Sequence, residues 1–172
     1  MRGGGPDIMK DKRNYGITLL MFFVCLVWTP AAFADFFGKV VAVKDGDTLE
    51  VMKEGFAVRV RLYGIDCPEK GQAFGRRAKH FTSDLAFRKM VEVKERGTDR
   101  YGRTIGEVIL NDGRSLNREL VRAGLAWWYR RYARTDVTLE ALEREAREAR
   151  IGLWSDANPV PPWEWRKERR AR

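Results

Sequence analysis

Histidine and cysteine are scarce in this sequence of 172 residues, which contains one His and two Cys. A nucleophilic cysteine needs a partner base, usually a histidine, and the only histidine, His80, lies on the surface of a predicted helix. Cys25 falls within an N-terminal apolar run, which leaves Cys67 alone in the rest of the chain. A single cysteine cannot form an internal disulfide, so the fold has to rest on its hydrophobic core, with or without a bound ion.

Long apolar segments are also few, and the one from Ile17 to Trp28 lies near the N-terminus. Basic residues precede it and Ala32-Phe33-Ala34 follows it, which is the layout of a secretory signal peptide. A permanent membrane helix is the alternative, but the run is too short to cross the roughly 30 Å hydrocarbon core comfortably. We therefore expect residues 1–34 to be a signal peptide, cleaved near Ala34, and residues 35–172 to form one exported domain, periplasmic or secreted.

Basic side chains outnumber acidic ones, with 33 Lys and Arg against 24 Asp and Glu, for a net charge of +9. Residues 1–34 carry four of the basic and two of the acidic side chains, so the predicted domain keeps a net charge of +7. Such a charge favours polyanions, nucleic acid or an anionic cell surface, through release of condensed counterions. Many small exported proteins are basic without such a partner, so charge alone leaves the question open.

Alternating apolar residues predict a strand meander in the first half of the domain. A strand around Val40–Val43 enters the hairpin turn Asp45-Gly46, and a later strand places Val60 and Leu62 towards the core and Arg61 away from it. Further strands are predicted at about 90–93 and 104–110, and helices at about 74–87, 116–123 and 137–150. A meander interrupted by one helix suggests a small barrel, with no internal repeat and no second domain.

The C-terminal tail, from about residue 156, is rich in proline and tryptophan and ends in basic residues. We expect an extended segment that packs Trp163 and Trp165 against the barrel, in preference to a peptide-ligand role. The chain after Lys167 is predicted to be disordered.

The segment from Arg61 to Glu69 places an arginine, two carboxylates and a proline turn at the end of one predicted strand. The arginine fork suits phosphate oxygens, an aspartate can hold a hard cation, and a glutamate can take a proton from water. These are the residue types of a metal-assisted phosphate site. Such a site also needs a second metal ligand and a second phosphate clamp from elsewhere in the chain.

Two further motifs, Asp45-Gly46-Asp47-Thr48 and the run from Thr98 to Arg103, flank this segment in the sequence. In this order the three motifs resemble the thermonuclease, or staphylococcal nuclease-like, family. The resemblance extends from about Phe37 to Trp154, and the Pro-Trp-Glu-Trp tail is similar to that of exported bacterial members. It implies an α+β fold, a five-stranded OB-fold β-barrel with three α-helices.

The resemblance also implies a calcium site. Asp47 and Asp66 match the carboxylate ligands of the family, and Cys67 matches a position that contributes its backbone carbonyl and is usually threonine. Calcium accepts carboxylate, carbonyl and water oxygens in loose geometry, so these residue types suit it. A carbonyl ligand does not depend on the side chain, and we therefore expect the site to tolerate cysteine.

For the chemistry, the resemblance implies that Glu69 is the general base that activates water and that Arg61 and Arg103 bind the phosphate. Tyr101 is a candidate donor to a substrate phosphate. The alternatives are an ordinary surface glutamate for Glu69, and for Arg103 a structural ion pair with Asp99 on the same loop.

A stretch of four aromatic residues matches a region in which family members stack tyrosines on a base or sugar. Tyr132 is the better match and Tyr129 is the second candidate, whereas the two tryptophans of the stretch are expected in the core. The connection from Glu69 to the first helix is shorter than in the best-known members, where this loop is mobile and touches the active site.

The implied activity is calcium-dependent, sugar-nonspecific hydrolysis of DNA and RNA phosphodiesters that leaves 3′-phosphate ends. The enzyme is expected to be a monomer without a stable protein partner, and to touch a membrane only through an uncleaved signal. A noncatalytic OB-type nucleic-acid-binding module is the main alternative, and joint retention of the acidic and arginine residues argues against it. A third hypothesis, an envelope protein that uses calcium structurally, leaves the two arginines without a role.

Overall fold

The computed structural model describes residues 1, 3 and 34–171. The predicted signal peptide, residues 1–34, lies almost wholly outside the described residues, and its cleavage stays a prediction. The chain divides into two compact units, Met1–Ala31 and Ala32–Arg172, and every strand and helix given below belongs to the second unit. In the described part, no helix is long and apolar enough to cross a lipid bilayer.

Five strands close into a barrel, which confirms the predicted fold class. The barrel order is β1-β2-β3-β6-β5, and a two-stranded sheet of β4 and β7 lies outside it. The strands are β1 (Phe36–Val43), β2 (Thr48–Lys53), β3 (Phe56–Leu62), β4 (Ile65–Asp66), β5 (Met90–Thr98), β6 (Thr104–Leu110) and β7 (Trp127–Trp128). All barrel neighbours are antiparallel except β3 and β6, which pair in parallel and bring the ends of two distant motifs together.

Burial alternates along the barrel strands, as the sequence pattern predicts. In β3, Val60 and Leu62 are buried, whereas Arg61 between them points outward. Burying an aliphatic side chain of this size stabilises the fold by about 1.5 to 3 kcal/mol. The apolar residues on either side therefore fix the direction in which Arg61 leaves the strand.

Three helices lie within a few residues of their predicted positions. They are α1 (Gly75–Ala86), α2 (Leu116–Arg122) and α3 (Val137–Glu148). The Ser115 side chain accepts the Arg118 N–H at 3.5 Å at the start of α2, and the Asp136 side chain accepts the Leu139 N–H at 3.0 Å at the start of α3. Such caps satisfy backbone donors that have no partner within the helix.

A buried glutamate joins α3 to β7. Glu143 is 1% exposed and accepts the backbone N–H of Trp128 at 3.0 Å. It also forms ion pairs with Arg130 at 3.1 Å and Arg147 at 3.3 Å. A buried carboxylate needs such partners. The hydrogen bond from Trp128 to Glu143 thereby ties the short strand β7 to α3.

The C-terminal tail forms a fourth helix, α4 (Pro162–Ala171), after a 3-10 turn at Gly152–Ser155. The prediction of an extended segment that becomes disordered after Lys167 is therefore wrong. Pro162 suits the first position of a helix. An N–H at that position would have no acceptor within the helix, so proline loses no hydrogen bond there. Trp163 does pack against the domain, with its ring centroid 5.7 Å from that of Trp127. Tertiary contacts of this kind stabilise a helix that is too short to persist alone.

Candidate active site

Two of the predicted site residues are brought together by the β2–β3 hairpin. Asp47 directly precedes β2, and the first residue of that strand, Thr48, pairs with Arg61 of β3. The Leu62 N–H donates to the Asp47 carbonyl at 2.8 Å, which extends the strand register into the turn. The register thus places Asp47 beside Arg61.

Arg61 joins the two aspartates that the sequence predicts as metal ligands. Its Nη1 forms an ion pair with Asp47 Oδ1, and its Nη2 donates to Asp66 Oδ1 at 2.6 Å. Asp47 is 2% exposed and Asp66 is fully buried. Buried carboxylates are stable only beside a positive partner or as acceptors of hydrogen bonds. One oxygen of each therefore converges on a common cationic position.

Cys67 contributes its backbone to this cluster. Its N–H donates to Asp47 Oδ2 at 2.6 Å, which fixes the second oxygen of that carboxylate. Burial raises the pKa of the Cys67 thiol well above its ordinary value. A protonated, inaccessible thiol is a poor nucleophile, so the side chain has a packing role, and only its backbone is a candidate for the site.

Helix α1 packs directly on the turn that carries Asp47. A Cβ added to Gly46 would lie 2.7 Å from the Cβ of Ala78 and 2.8 Å from the Cys67 Sγ, so only glycine fits. Thr82 of the same helix donates its hydroxyl to the Gly46 carbonyl at 2.6 Å. The Asp45-Gly46 turn thus does more than reverse the chain, because it also seats α1 against the site.

Glu69 stands on a tight turn between β4 and α1. Its N–H donates to the Gln72 side chain at 3.1 Å, and the Gln72 N–H donates to the Glu69 carbonyl at 2.8 Å. A Cβ at Gly75 would lie 1.9 Å from the same carbonyl oxygen, so the short connection closes tightly around it. The Glu69 side chain is 41% exposed, which lets its carboxylate meet water while its backbone stays fixed.

Arg103 lies on the loop before β6 and is held by Asp99. Its Nε and Nη2 both donate to Asp99 Oδ2 at 2.7 Å, so the ion pair considered as an alternative is present. Asp99 Oδ1 accepts the backbone N–H groups of Tyr101 and Arg103 at 2.8 and 3.0 Å. Desolvation raises the pKa of Asp99, but these hydrogen bonds outweigh it and hold the pKa below its ordinary value. The pair orients the loop and leaves the Arg103 side chain 27% exposed.

The parallel strands bring Arg103 near Arg61 along the barrel. Thr104, the residue after Arg103, pairs with Val60, the residue before Arg61. Arg61 therefore lies in β3, and Arg103 directly precedes the neighbouring strand β6. Among the described residues, however, Arg103 makes no ion pair or hydrogen bond with Asp47, Asp66 or Glu69.

The predicted tyrosines form two separate groups. Tyr101 is 67% exposed and its hydroxyl accepts from Arg100 at 2.6 Å. Tyr132 is 62% exposed and meets Tyr129 edge-on, with ring centroids 5.1 Å apart. Tyr129 is stacked on Trp163 at 5.2 Å, so one of its faces is covered by α4. The two tryptophans of the stretch are buried, as predicted.

A third arginine enters the site from α4, and no motif in the sequence predicts it. Arg166 Nη2 lies 2.7 Å from Asp66 Oδ2, and Nη1 lies 2.7 Å from Glu69 Oε1 and 3.3 Å from Asp66 Oδ1. Burial alone would lower the pKa of Arg166, but its hydrogen bonds to Asp66 and Glu69 outweigh burial and raise that pKa. The contact with Glu69 spans 97 residues of sequence, so local spacing carries no signal of it.

The donor set fits a hard cation. Asp47 and Asp66 present oxygens to one position where a positive group, the Arg61 guanidinium, already lies. In residues 34–171, no cluster of three or more His, Cys, Asp or Glu side chains is placed to hold a metal. A cation held here would therefore complete its shell with carbonyl and water oxygens, which calcium accepts.

Comparison with known proteins gives the same family as the motifs. Residues 59–156, more than half of the chain, match the family model described as Staphylococcal nuclease homologue. An uncharacterised endonuclease of Escherichia coli O157:H7 is 49% identical over 154 residues, which cover 90% of this chain and 97% of that protein. A micrococcal nuclease of Shigella flexneri is 45% identical over 153 residues, 84% of this chain and 88% of that protein. An uncharacterised endonuclease of Haemophilus influenzae is 42% identical over 131 residues, 76% of this chain and 72% of that protein. The chain therefore belongs to the staphylococcal nuclease homologue family and is a nuclease that hydrolyses phosphodiester bonds of nucleic acid.

Proposed function

We propose that this nuclease depends on calcium, accepts both DNA and RNA, and leaves 3′-phosphate ends. The observation that carries the proposal is the convergence of Asp47 and Asp66 on one cationic position, with the exposed carboxylate of Glu69 bridged to Asp66 by Arg166. Asp47 and Asp66 are buried and suit a metal, whereas Glu69 is partly exposed and suits the acceptance of a proton from water.

Calcium bound by Asp47, Asp66 and the carbonyl of Cys67 would neutralise charge on the scissile phosphate. Both ligands form ion pairs with Arg61, Asp47 through Oδ1 and Asp66 through Oδ1 at 2.6 Å, which supports a cation-binding role for the two carboxylates. The hydrogen bond from Cys67 N–H to Asp47 holds the first ligand in place. Changing Cys67 to threonine should leave this backbone geometry intact.

In the proposed reaction, Glu69 takes a proton from a water molecule, whose oxygen then attacks phosphorus. The new P–O bond forms as the bond from phosphorus to the 5′ oxygen breaks. The 5′ oxygen leaves with a proton taken from solvent water, and the phosphate stays on the 3′ side. Arg61 and Arg103 donate to the phosphate oxygens, where charge increases in the transition state, and each is worth about 2 to 4 kcal/mol there. Asp99 supports this role for Arg103 because it fixes the guanidinium without burying it.

Substrate binding is assigned to Tyr101, Tyr132 and Tyr129. Tyr101 is close to Arg103, with the guanidinium 5.6 Å from its ring centroid, so its hydroxyl can donate to a phosphate of the same strand. The exposed Tyr132 offers an aromatic face for a base or a sugar, and Tyr129, whose other face is covered by Trp163, is the second candidate. Stacking depends on the ring and not on base identity, which agrees with an enzyme that accepts both nucleic acids.

We also propose that the enzyme works as a monomer outside the cytoplasm, periplasmic or secreted. The signal layout before Ala34 supports export, and the net charge of +7 on residues 35–172 supports binding of free nucleic acid there. The only proposed membrane contact is an uncleaved signal segment.

The test is incubation of the purified protein with plasmid DNA and with RNA, in calcium or in excess chelator. We expect both substrates to be degraded in calcium, to survive in chelator, and to be degraded again when calcium is restored. The control reaction contains magnesium as the only divalent cation. Degradation in magnesium but not in calcium would refute the assigned metal, and survival of either substrate in calcium would refute the proposed substrate range.

A further inference from the structure

Helix α4 places Arg166 across two acidic residues of the active site. The guanidinium contacts both oxygens of Asp66, at 2.7 and 3.3 Å, and one oxygen of Glu69, at 2.7 Å. No part of the proposed reaction uses Arg166. Its position on the predicted metal ligand and on the predicted base nevertheless makes it a component of the site.

The fold holds Arg166 there through contacts elsewhere on the tail. Trp163 stacks on Tyr129, with 12° between the ring planes, and Pro162 at the start of the helix is buried. Gln72, whose side-chain oxygen accepts from the Glu69 N–H, donates its amide to the Val160 carbonyl at 2.5 Å. The tail is thus attached to the turn that carries Glu69, and the Arg166 side chain is only 35% exposed.

The oxygens that Arg166 contacts are required for other purposes. A cation held by Asp66 needs a carboxylate oxygen of that residue, and a water activated by Glu69 needs a free oxygen on that carboxylate. A guanidinium fork binds phosphate with the same two-donor geometry as it binds carboxylate. Arg166 can therefore exchange Asp66 and Glu69 for a phosphate without losing its hydrogen bonds.

The surroundings of Arg166 have room and charge for such a phosphate. A cavity of about 300 Å³ lies beside these contacts and is lined by Glu69, Trp165, Arg166, Arg169 and Arg170. Three of the five lining residues are arginines, each with a guanidinium group. A cavity with this lining favours an anionic group that can share several donors.

We propose that Arg166 is a third phosphate-binding arginine of this nuclease, exchanging between Asp66 with Glu69 and a phosphate of the substrate. The inference rests on the proposed function of the same site. Asp47, Asp66 and Glu69 carry three negative charges, and Arg61, Arg166 and a dication carry four positive charges. The Arg103–Asp99 pair adds no net charge, so the site keeps one positive charge, which matches a phosphodiester. Removing Arg166 leaves the site neutral, so the substrate binds less tightly while a cation on Asp66 meets less competition.

The test compares Arg166→Ala with the wild type in two measurements. Steady-state cleavage of a defined single-stranded oligonucleotide at saturating calcium should give a kcat/KM at least about tenfold lower, mainly through KM. Calcium titration by calorimetry without nucleic acid should give a Kd at least about threefold lower, because the guanidinium no longer competes for Asp66. The second measurement does not depend on turnover.

Two variants serve as controls. Lys167→Ala removes the same charge from the next, exposed position of α4, and should leave kcat/KM and the calcium Kd within about twofold of wild type. Arg166→Lys keeps the charge but loses the fork, and should lie between wild type and Arg166→Ala in kcat/KM. If Arg166→Ala does not fold, the kcat/KM of Arg166→Lys still tests the inference.

Three outcomes overturn the inference. A kcat/KM in Arg166→Ala that equals or exceeds that of wild type means that Arg166 binds no substrate phosphate. A weaker affinity for calcium means that Arg166 only supports the shape of the site. Equal losses in Lys167→Ala mean a general charge effect. An inactive wild type would instead refute the proposed function, which separates the two failures.

Discussion

Asp99 shows how one carboxylate organises the loop that carries Arg103. It accepts two backbone N–H groups on one oxygen and the Arg103 guanidinium on the other. The ionised form makes these bonds, and for that reason the pKa of Asp99 is lower in the folded protein than its ordinary value of 3.8. The stabilisation is fully present above the unfolded pKa and is lost as pH falls through the folded pKa.

Asp99→Asn should therefore reduce stability in a pH-dependent manner. At pH 7 we expect a loss of about 0.5 to 1 kcal/mol in the free energy of unfolding, because the pair is partly exposed. Below the folded pKa the wild-type carboxyl is protonated too, and the difference should shrink towards zero. Urea unfolding of both proteins at pH 7 and at a series of lower pH values measures the effect. Asp84→Asn on the exposed face of α1 is the control, and a loss that stays the same as pH falls would contradict this account.

Individual residues were predictable from sequence wherever the chemistry is local. Asp47, Asp66 and Arg61 fall within short motifs, and the hairpin register between Thr48 and Arg61 brings them together. Arg166 was not predictable, because its contacts depend on where a distant helix docks. Its neighbours in sequence indicate only that the tail packs against something.

Helix α4 is the element that distinguishes this domain from the fold expected of it. The connection from Glu69 to α1 is short and closed, and the tail lies against it through Gln72 and Val160. In the best-known family members a longer, mobile loop touches the active site, and here an ordered helix contacts Glu69 instead.

Trp163→Ala should undock this helix without disturbing the barrel. The variant loses stacking on Tyr129 and edge contact with Trp127, so α4 should become sensitive to trypsin at its basic residues. Because docking positions Arg166, we expect kcat/KM to fall about as far as in Arg166→Ala. Combining both substitutions should add little, since the two side chains act as one unit.

The matched control is Trp163→Phe, which keeps an aromatic ring on Tyr129 and should keep most of the activity. Trypsin resistance and wild-type rates in Trp163→Ala would show that other contacts hold α4. Full additivity of Trp163→Ala and Arg166→Ala would show that the tryptophan acts separately from the arginine.

The three earlier helices were predictable because their apolar spacing and caps are encoded locally, as at Ser115 and Asp136. Helix α4 carries two tryptophans followed by a basic run, and a proline-rich segment precedes it, a composition that resembles an extended or disordered tail. Most of its residues are nevertheless good helix formers, and its tryptophans pack against residues far away in sequence. Overall composition, and not helix propensity, therefore gave the wrong state for this element.

At the scale of the whole molecule, strand pairing in the barrel brings residues of three separated motifs to neighbouring positions. Antiparallel pairing of β2 with β3 places Asp47 beside Arg61, and parallel pairing of β3 with β6 places Arg103 directly before the neighbouring strand. Apolar alternation predicts the strands but not which of them close the barrel. The resemblance to a known family supplied that closure in advance, and the observed strand order confirms it.

The most direct test of the whole account is cleavage of matched DNA and RNA oligonucleotides in calcium, with analysis of the new ends, by wild type, Glu69→Gln and Arg61→Lys. We predict 3′-phosphate ends from both substrates. Both variants should fold normally, with rates lower by about 10² to 10⁴-fold for Glu69→Gln and about 10² to 10³-fold for Arg61→Lys. A rate near that of wild type in Glu69→Gln, or 5′-phosphate ends from wild type, would contradict the proposed mechanism.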